Sequence, residues 1–137
     1  MTYIDYLYIL NISNIDIRED GIMAIDKSLL AGSTGLLILR LLEEGDLYGY
    51  QMIERLRERS DDTFSLKAGT LYPLLHTLEV QGLVRSYERA ADGARVRKYY
   101  RLTDLGHTRL AEKTEEWRRF SGAVERVLKG GESHAFA

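Results

Sequence analysis

The stretch GTLYPLLHTLEVQGLVRSYERAADGARVRKYYRL, residues 69–102, decides the fold. Leu71, Leu74, Leu75 and Leu78 recur at i, i+3, i+4 and i+7, the apolar stripe of a helix that Gly82 ends. Pro73 lacks an N–H, so regular helix is expected from near Thr70, or bent there. The side away from the leucines carries Gly69, Pro73 and His76, flanked by Tyr72 and Thr77. That side is small, polar and nearly uncharged, and suits close approach to another surface. Residues 83–89 and 95–102 read as strands around a turn at Asp92-Gly93, a strong hairpin signal. Six bases (Arg85, Arg89, Arg95, Arg97, Lys98 and Arg101) and two acids (Glu88 and Asp92) give this hairpin a charge of +4. The whole chain carries −2, so the remainder totals −6. A basic hairpin on an acidic protein is an electrostatic footprint suited to phosphates.

Upstream, Asp26 or Ser28 is expected to cap a helix running to about residue 44 and stopped by Gly45. Leu29, Leu30, Leu36, Leu37, Ile38, Leu39, Leu41 and Leu42 cover almost every face of it. A helix apolar all round is buried, here between a domain core and a partner subunit. Asp46 is expected to cap a second helix over 47–59, with Met52, Ile53 and Leu56 inward and Glu54, Arg55, Arg57 and Glu58 outward. Ser60-Asp61-Asp62 breaks it. Downstream, Thr103 caps a last long helix to about residue 129, before Gly130-Gly131, and 130–137 read as a flexible tail. Leu110, Thr114, Trp117, Ser121, Val124 and Leu128 alternate at steps of three and four, as in a coiled-coil seam, and Phe120 and Val127 widen it. So small a domain offers this seam no partner, so a second chain is expected there.

A length of 137 residues suits one domain with an appended helix, and 29% charged with 45% hydrophobic residues is an ordinary globular composition. No apolar run approaches the roughly 20 residues that span a bilayer. The chain has no Cys, which excludes disulfides, zinc–thiolate sites and cysteine nucleophiles. Three His, at 76, 107 and 134, are too scattered for a metal-binding helix, and no metal or cofactor is expected. Nor does any stretch offer a nucleophile–base pair or a Gly-rich phosphate loop, so an enzyme is not expected.

Residues 1–22 differ in character. They hold 6 of the 9 Ile, both Asn and 3 of the 9 Tyr, but none of the 10 Ala and one of the 14 Arg. Ile, Asn and Tyr have AT-rich codons, whereas those of Ala and many of Arg are GC-rich. Arg18-Glu19-Asp20 is encodable as a purine-rich run like a ribosome-binding site, just ahead of Met23. Translation is expected to start at Met23, with 1–25 an extension that is not part of the native fold; the competing reading is a real N-terminal arm.

Helix, helix, helix, hairpin is the order of a winged helix-turn-helix, so the expected fold is mainly α with a small β-hairpin (α+β). Residues 26–102 form the DNA-binding domain and 103–129 a C-terminal dimerisation helix. In that arrangement the third helix enters the major groove and the hairpin grips flanking backbone.

The sequence resembles the PadR family of bacterial transcription regulators over roughly residues 26–129. The resemblance rests on YGYQMI at 48–53, GTLYPLLHTLEVQGL at 69–83 and RKYYRLTDLG at 97–106. The single last helix with a central Trp looks like the short-tailed subfamily. It is especially similar to the lactococcal multidrug-sensing members, whose RLT…GH…W stretch corresponds to residues 101–117. The resemblance implies a cytoplasmic homodimeric repressor on double-stranded operator DNA. By position, Tyr48, Lys67, Thr70, Tyr72 and His76 approach DNA, with Arg95, Arg97 and Lys98 on the wing. Where relatives often carry a base before Gly32 this chain has Ala31, and His76 and Thr77 stand where Lys or Arg are common. Fewer cations on the reading head shift weight to the wing.

Other readings stand beside these. The Arg95–Arg97–Lys98 cluster alone reads as a solvated edge that discourages strand pairing; beside a helix-turn-helix it reads as a DNA contact. The winged-helix shape also serves protein-interaction modules that read no DNA. Trp117, Val124 and Leu128 are the expected dimerisation residues. Trp117 is either a dimer anchor or, as the multidrug-sensing relatives imply, half of a paired-Trp cleft for a small aromatic effector. Gly32, Gly35, Leu36, Leu110, Thr114, Phe120 and Ser121 occupy the positions that would line that cleft.

Overall fold

Leu71, Leu75 and Leu78 are buried on one side of a helix whose other side meets solvent. In the computed structural model, which describes residues 27–91, 93 and 95–134, this helix is the third of four. The order is α1 (Lys27–Glu43), β1 (Leu47–Tyr48), α2 (Gly49–Arg59), α3 (Ala68–Val80), β2 (Val84–Ala90), β3 (Val96–Leu102) and α4 (Asp104–His134). The N-terminal extension with its Met23 start lies outside the described residues.

One core holds the elements together. Ile38, Leu39, Leu41 and Leu42 of α1 meet Met52 and Leu56 of α2, the α3 leucines, and Leu83, Val84, Tyr100 and Leu102 of the hairpin. Leu36 and Leu37 pack half-buried against it. The antiparallel sheet has the order β1-β3-β2.

Three boundaries differ from expectation. The second helix begins at Gly49, not at 47, because Leu47 and Tyr48 pair with Tyr100 and Tyr99 as a short third strand. Asp46 is therefore not a helix cap; the Tyr48 N–H is taken instead by the Gln51 side chain at 3.1 Å. The third helix starts at Ala68, so Pro73 lies inside it and deprives the exposed Gly69 carbonyl of its usual donor. The last helix continues through Gly130 and Gly131 to His134.

The junction between α3 and α4 is tightly made. The Gly82 N–H donates to the Glu79 carbonyl and the Leu83 N–H to the Leu78 carbonyl, both at 2.9 Å. With Gly82 at φ +76°, this is a Schellman helix end, which a left-handed glycine permits. Thr103 caps α4 as expected: its hydroxyl accepts the Gly106 N–H at 3.0 Å. The same hydroxyl donates to the Gly82 carbonyl at 2.6 Å, and the Thr103 N–H donates to the Leu83 carbonyl at 3.1 Å. A Cβ on Gly106 would overlap the Leu83 carbonyl oxygen and crowd Leu102. Gly106→Ala should therefore destabilise the fold by about 1–3 kcal/mol in urea unfolding, the usual cost of overpacking; an unchanged midpoint would show that α4 shifts away freely.

Candidate nucleic-acid interface

Burial of the leucine stripe turns Gly69, Thr70, Tyr72, Pro73, His76 and Thr77 outward together, the face expected from the sequence. Lys67, also exposed, is the N-cap residue of α3. Thr77 donates its hydroxyl to the Pro73 carbonyl at 3.1 Å. Tyr72 leans across the start of α2: a Cβ on Gly49 would lie 2.5 Å from its hydroxyl oxygen and 2.9 Å from Cζ. Gly49 thus lets α2 and α3 approach through the Tyr72 ring.

Strand alternation sorts the hairpin into two faces. The face toward α3 carries Ser86 and Lys98. Ser86 donates its N–H and hydroxyl to Glu79 at 2.7 and 2.6 Å, which holds the Glu79 carboxyl below the usual carboxylate range. Lys98 stands 5.8 Å from the Tyr100 ring centre and adds its charge to the same effect.

The outer face is built in rungs across the three strands. Tyr48, Tyr99 and Tyr87 form an aromatic rung: Tyr48 meets Tyr99 edge-on at 5.4 Å, and Tyr99 stacks with Tyr87 at 5.8 Å. Toward the turn lies the pair Arg97–Arg89, and toward the body the pair Arg101–Arg85. Like charges opposite one another in a sheet repel. On the body side Asp46 answers Arg101. One step along the β1–β3 register from Leu47–Tyr100, its Oδ2 accepts from Arg101 at 3.0 and 3.2 Å and from the Tyr87 hydroxyl at 2.6 Å. Partial burial works to raise the Asp46 carboxyl, but the hydrogen bonds from Tyr87 and Arg101 and the charge of Arg101 prevail, and its pKa lies below the ordinary 3.8.

Of the wing residues expected at DNA, Arg97 and Lys98 therefore lie on opposite faces, and Arg95 is exposed beside the turn. Tyr48 and Arg97, far apart in sequence, come together. The Arg97 guanidinium lies 4.5 Å from the Tyr48 ring centre and donates to its hydroxyl at 3.1 Å. Sequence reasoning passed over Asp46, Tyr87, Arg89 and Tyr99 as site residues. The alternation Arg85-x-Tyr87-x-Arg89 and Arg97-x-Tyr99-x-Arg101 was the available signal.

The residues expected around an effector lie on α1 and α4. Leu110 is buried in the core, Gly35 lies against Leu74, and Gly32 is exposed. Trp117 is 49% exposed, with Phe120 at 6.1 Å between ring centres. Among the described residues no three His, Asp or Glu side chains are grouped to hold a metal, and no helix is long and apolar enough to cross a membrane.

A helix-turn-helix with a solvent-facing third helix, followed by a cationic two-stranded wing, defines a winged-helix DNA-binding transcriptional regulator. The chain belongs to the transcriptional regulator PadR-like family, whose pattern matches residues 38–112. It is 35% identical over 99 residues to the transcriptional regulator Rv3488 of Mycobacterium tuberculosis, covering 72% of this chain and 85% of that one. A transcriptional regulator from Clostridium thermocellum has a similar structure, with a TM-score of 0.69 at 32% identity over 75% of this chain and 97% of that one. A PadR family transcriptional regulator from Eggerthella lenta matches with a TM-score of 0.65 at 36% identity, over 74% of this chain and 87% of its own.

The Asp46 clamp makes a pH-dependent prediction. Its carboxyl is lowered on folding, so its contribution is complete above the unfolded value of 3.8 and is lost as pH falls through the folded one. Asp46→Asn should reduce stability to urea at neutral pH, with the difference from wild type shrinking below pH 3.8. A difference that persists unchanged in acid would remove the charge of Asp46 from the account.

Proposed function

We propose that this regulator is a homodimeric repressor. Its third helix reads operator DNA, its wing holds the flanking backbone, and a flat aromatic ligand near Trp117 releases it. The observation that carries the DNA reading is the weakly charged outer face of α3 beside the cationic wing sheet. The first can approach base edges closely, and the second supplies the phosphate contacts that position it. Residues 26–102 are the DNA-binding unit and 103–129 the dimerisation helix.

Dimerisation has its own support. Phe120, Val124, Val127 and Leu128 share one side of α4 with Trp117, and Val127 and Leu128 are 80% and 75% exposed in the single chain. A groove lined by Phe120, Ala123, Val124, Val127 and Leu128 runs along that side. Contiguous apolar surface of this kind marks an interaction site, and a second α4 at coiled-coil spacing covers it. Burying each leucine-sized side chain there is worth about 1.5–3 kcal/mol. Val124→Asp with Leu128→Asp should convert the dimer to monomer in sedimentation and abolish tight binding to recovered genomic operator fragments. A full-affinity dimer carrying both changes would contradict the assignment. A wild-type protein whose partner binding is indifferent to salt would favour an interaction module that reads no DNA.

The ligand reading rests on the half-exposed Trp117 beside Phe120, which two protomers turn into a cleft between symmetry-related rings. Trp117 is the only Trp, so its fluorescence reports that cleft without competition. Planar aromatic compounds should quench it, and operator DNA should weaken that binding by the same factor by which ligand weakens DNA affinity. Quenching indifferent to operator would leave a binding site without a switch, and no quenching would leave Trp117 a dimer anchor.

A further inference from the structure

We infer that Glu79 is a positioning residue, which fixes the direction of the wing relative to α3 and thereby the discrimination between operator and random DNA. Its effect on discrimination rests on the DNA reading above; its effect on the wing does not. Residues 81–83 join α3 to β2, and Val84 is the last buried residue of β2. A strand gripped at one point can swing, whereas one gripped at two has a fixed direction. The first grip is the Leu83 N–H on the Leu78 carbonyl at 2.9 Å. The second is Ser86.

The sheet order places β2 at an edge. The Thr103 N–H bonds the Leu83 carbonyl and the Ala91 N–H bonds the Arg95 carbonyl. Odd-numbered residues of this ladder therefore turn their backbone polar groups toward the partner strand, and even-numbered ones turn theirs outward. The Ser86 N–H thus points away from β3, into the place of a missing neighbour strand. Glu79 Oε2 fills that place, accepting this N–H at 2.7 Å and the Ser86 hydroxyl at 2.6 Å. At the opposite edge β1 holds β3. A side chain from the last turn of α3 does at one edge what a strand does at the other. From Ser86 to the turn β2 extends about 20 Å, so a swing of about 5° moves the tip by about 2 Å. Operator recognition needs α3 and the wing seated together, and a swinging wing must be ordered in that complex at an entropic cost. Binding to random DNA, dominated by phosphates, accepts many wing directions.

Both bonds end on one oxygen, so an amide oxygen can accept them. Glu79→Gln and Glu79→Ala lose the same charge and differ in that acceptor. Each is shown to fold by its melting curve; Ser86→Ala, which keeps the N–H and loses the hydroxyl, replaces Glu79→Ala if that variant unfolds and should act in the same direction. The chain has no Cys, so spin labels at Ala90→Cys and Glu58→Cys, in protein diluted with unlabelled chains, report the distance from wing to α2. Wild type and Glu79→Gln should give one narrow distance distribution and Glu79→Ala a broad one. The ratio of operator to random-DNA affinity should fall about tenfold in Glu79→Ala and stay within about threefold in Glu79→Gln. The log–log salt slope should not change, because no phosphate contact is removed. Equal effects of the two variants would assign the role to charge, and an unbroadened Glu79→Ala would show that the wing needs no such grip; either overturns the proposal. So does a broad distribution with an unchanged affinity ratio. If wild type favours no operator over random DNA, the repressor reading fails, and the distances alone still decide whether Glu79 fixes the wing.

Discussion

The rotation of α3 about its own axis is the constraint on which the remaining arrangement depends. Leu71, Leu75 and Leu78 are all under 6% exposed. Turning the helix by one residue, about 100°, would bring them toward water at a cost of about 1.5–3 kcal/mol each. The position of Tyr72, Pro73 and His76 at the surface is therefore dictated from the inside. Tyr72 carries the same constraint to α2, because its ring occupies the space that any side chain at residue 49 would need. A change to the core beneath α3 should alter the outer face even where no surface residue is touched.

Much of this was legible from the chain. The leucine spacing located α3, the glycine of the hairpin signal stands at φ +77° as Gly93, and Thr103 located the start of α4, because each signal is local and has a single physical cause. What could not be read was pairing between segments far apart. Leu47 and Tyr48 are too few to show a strand period, and they are extended because β3 offers an edge to them. Asp46 has the chemistry of a helix cap, and only that third strand turns it toward Tyr87 and Arg101. The charge count of the hairpin was visible, but not its division into faces, so Lys98 was grouped with Arg97 although the pleat separates them. At the other end, Gly130-Gly131 resembled a stop. Glycine costs a helix about 1 kcal/mol per residue relative to alanine, which weakens a helix without forbidding it.

The outer sheet face shows how a concentrated positive charge is kept in an ordered fold. Aromatic rings separate the two arginine pairs, and the arginines near them lie over those rings. The Asp46 carboxylate sits at the end nearest the body. Asp46 thus offsets Arg101 where the hairpin joins the domain. Tyr48 belongs both to this face and to the threshold of α2, so the wing and the helix-turn-helix share a side chain and cannot be tuned independently.

The junction of Gly82, Leu83, Thr103 and Gly106 has a mechanical consequence. With its 31 residues α4 is about 46 Å long, and it starts against the end of α3 with no slack between them. It is a lever whose pivot is welded to α3. A tilt of about 5° at that pivot sweeps the far end of a helix this long through roughly 4 Å. Run in the other direction, a displacement of several ångströms at the far end arrives at α3 as a small change of angle. The gearing is a reduction, which turns coarse movement at one end of the molecule into fine movement at the other.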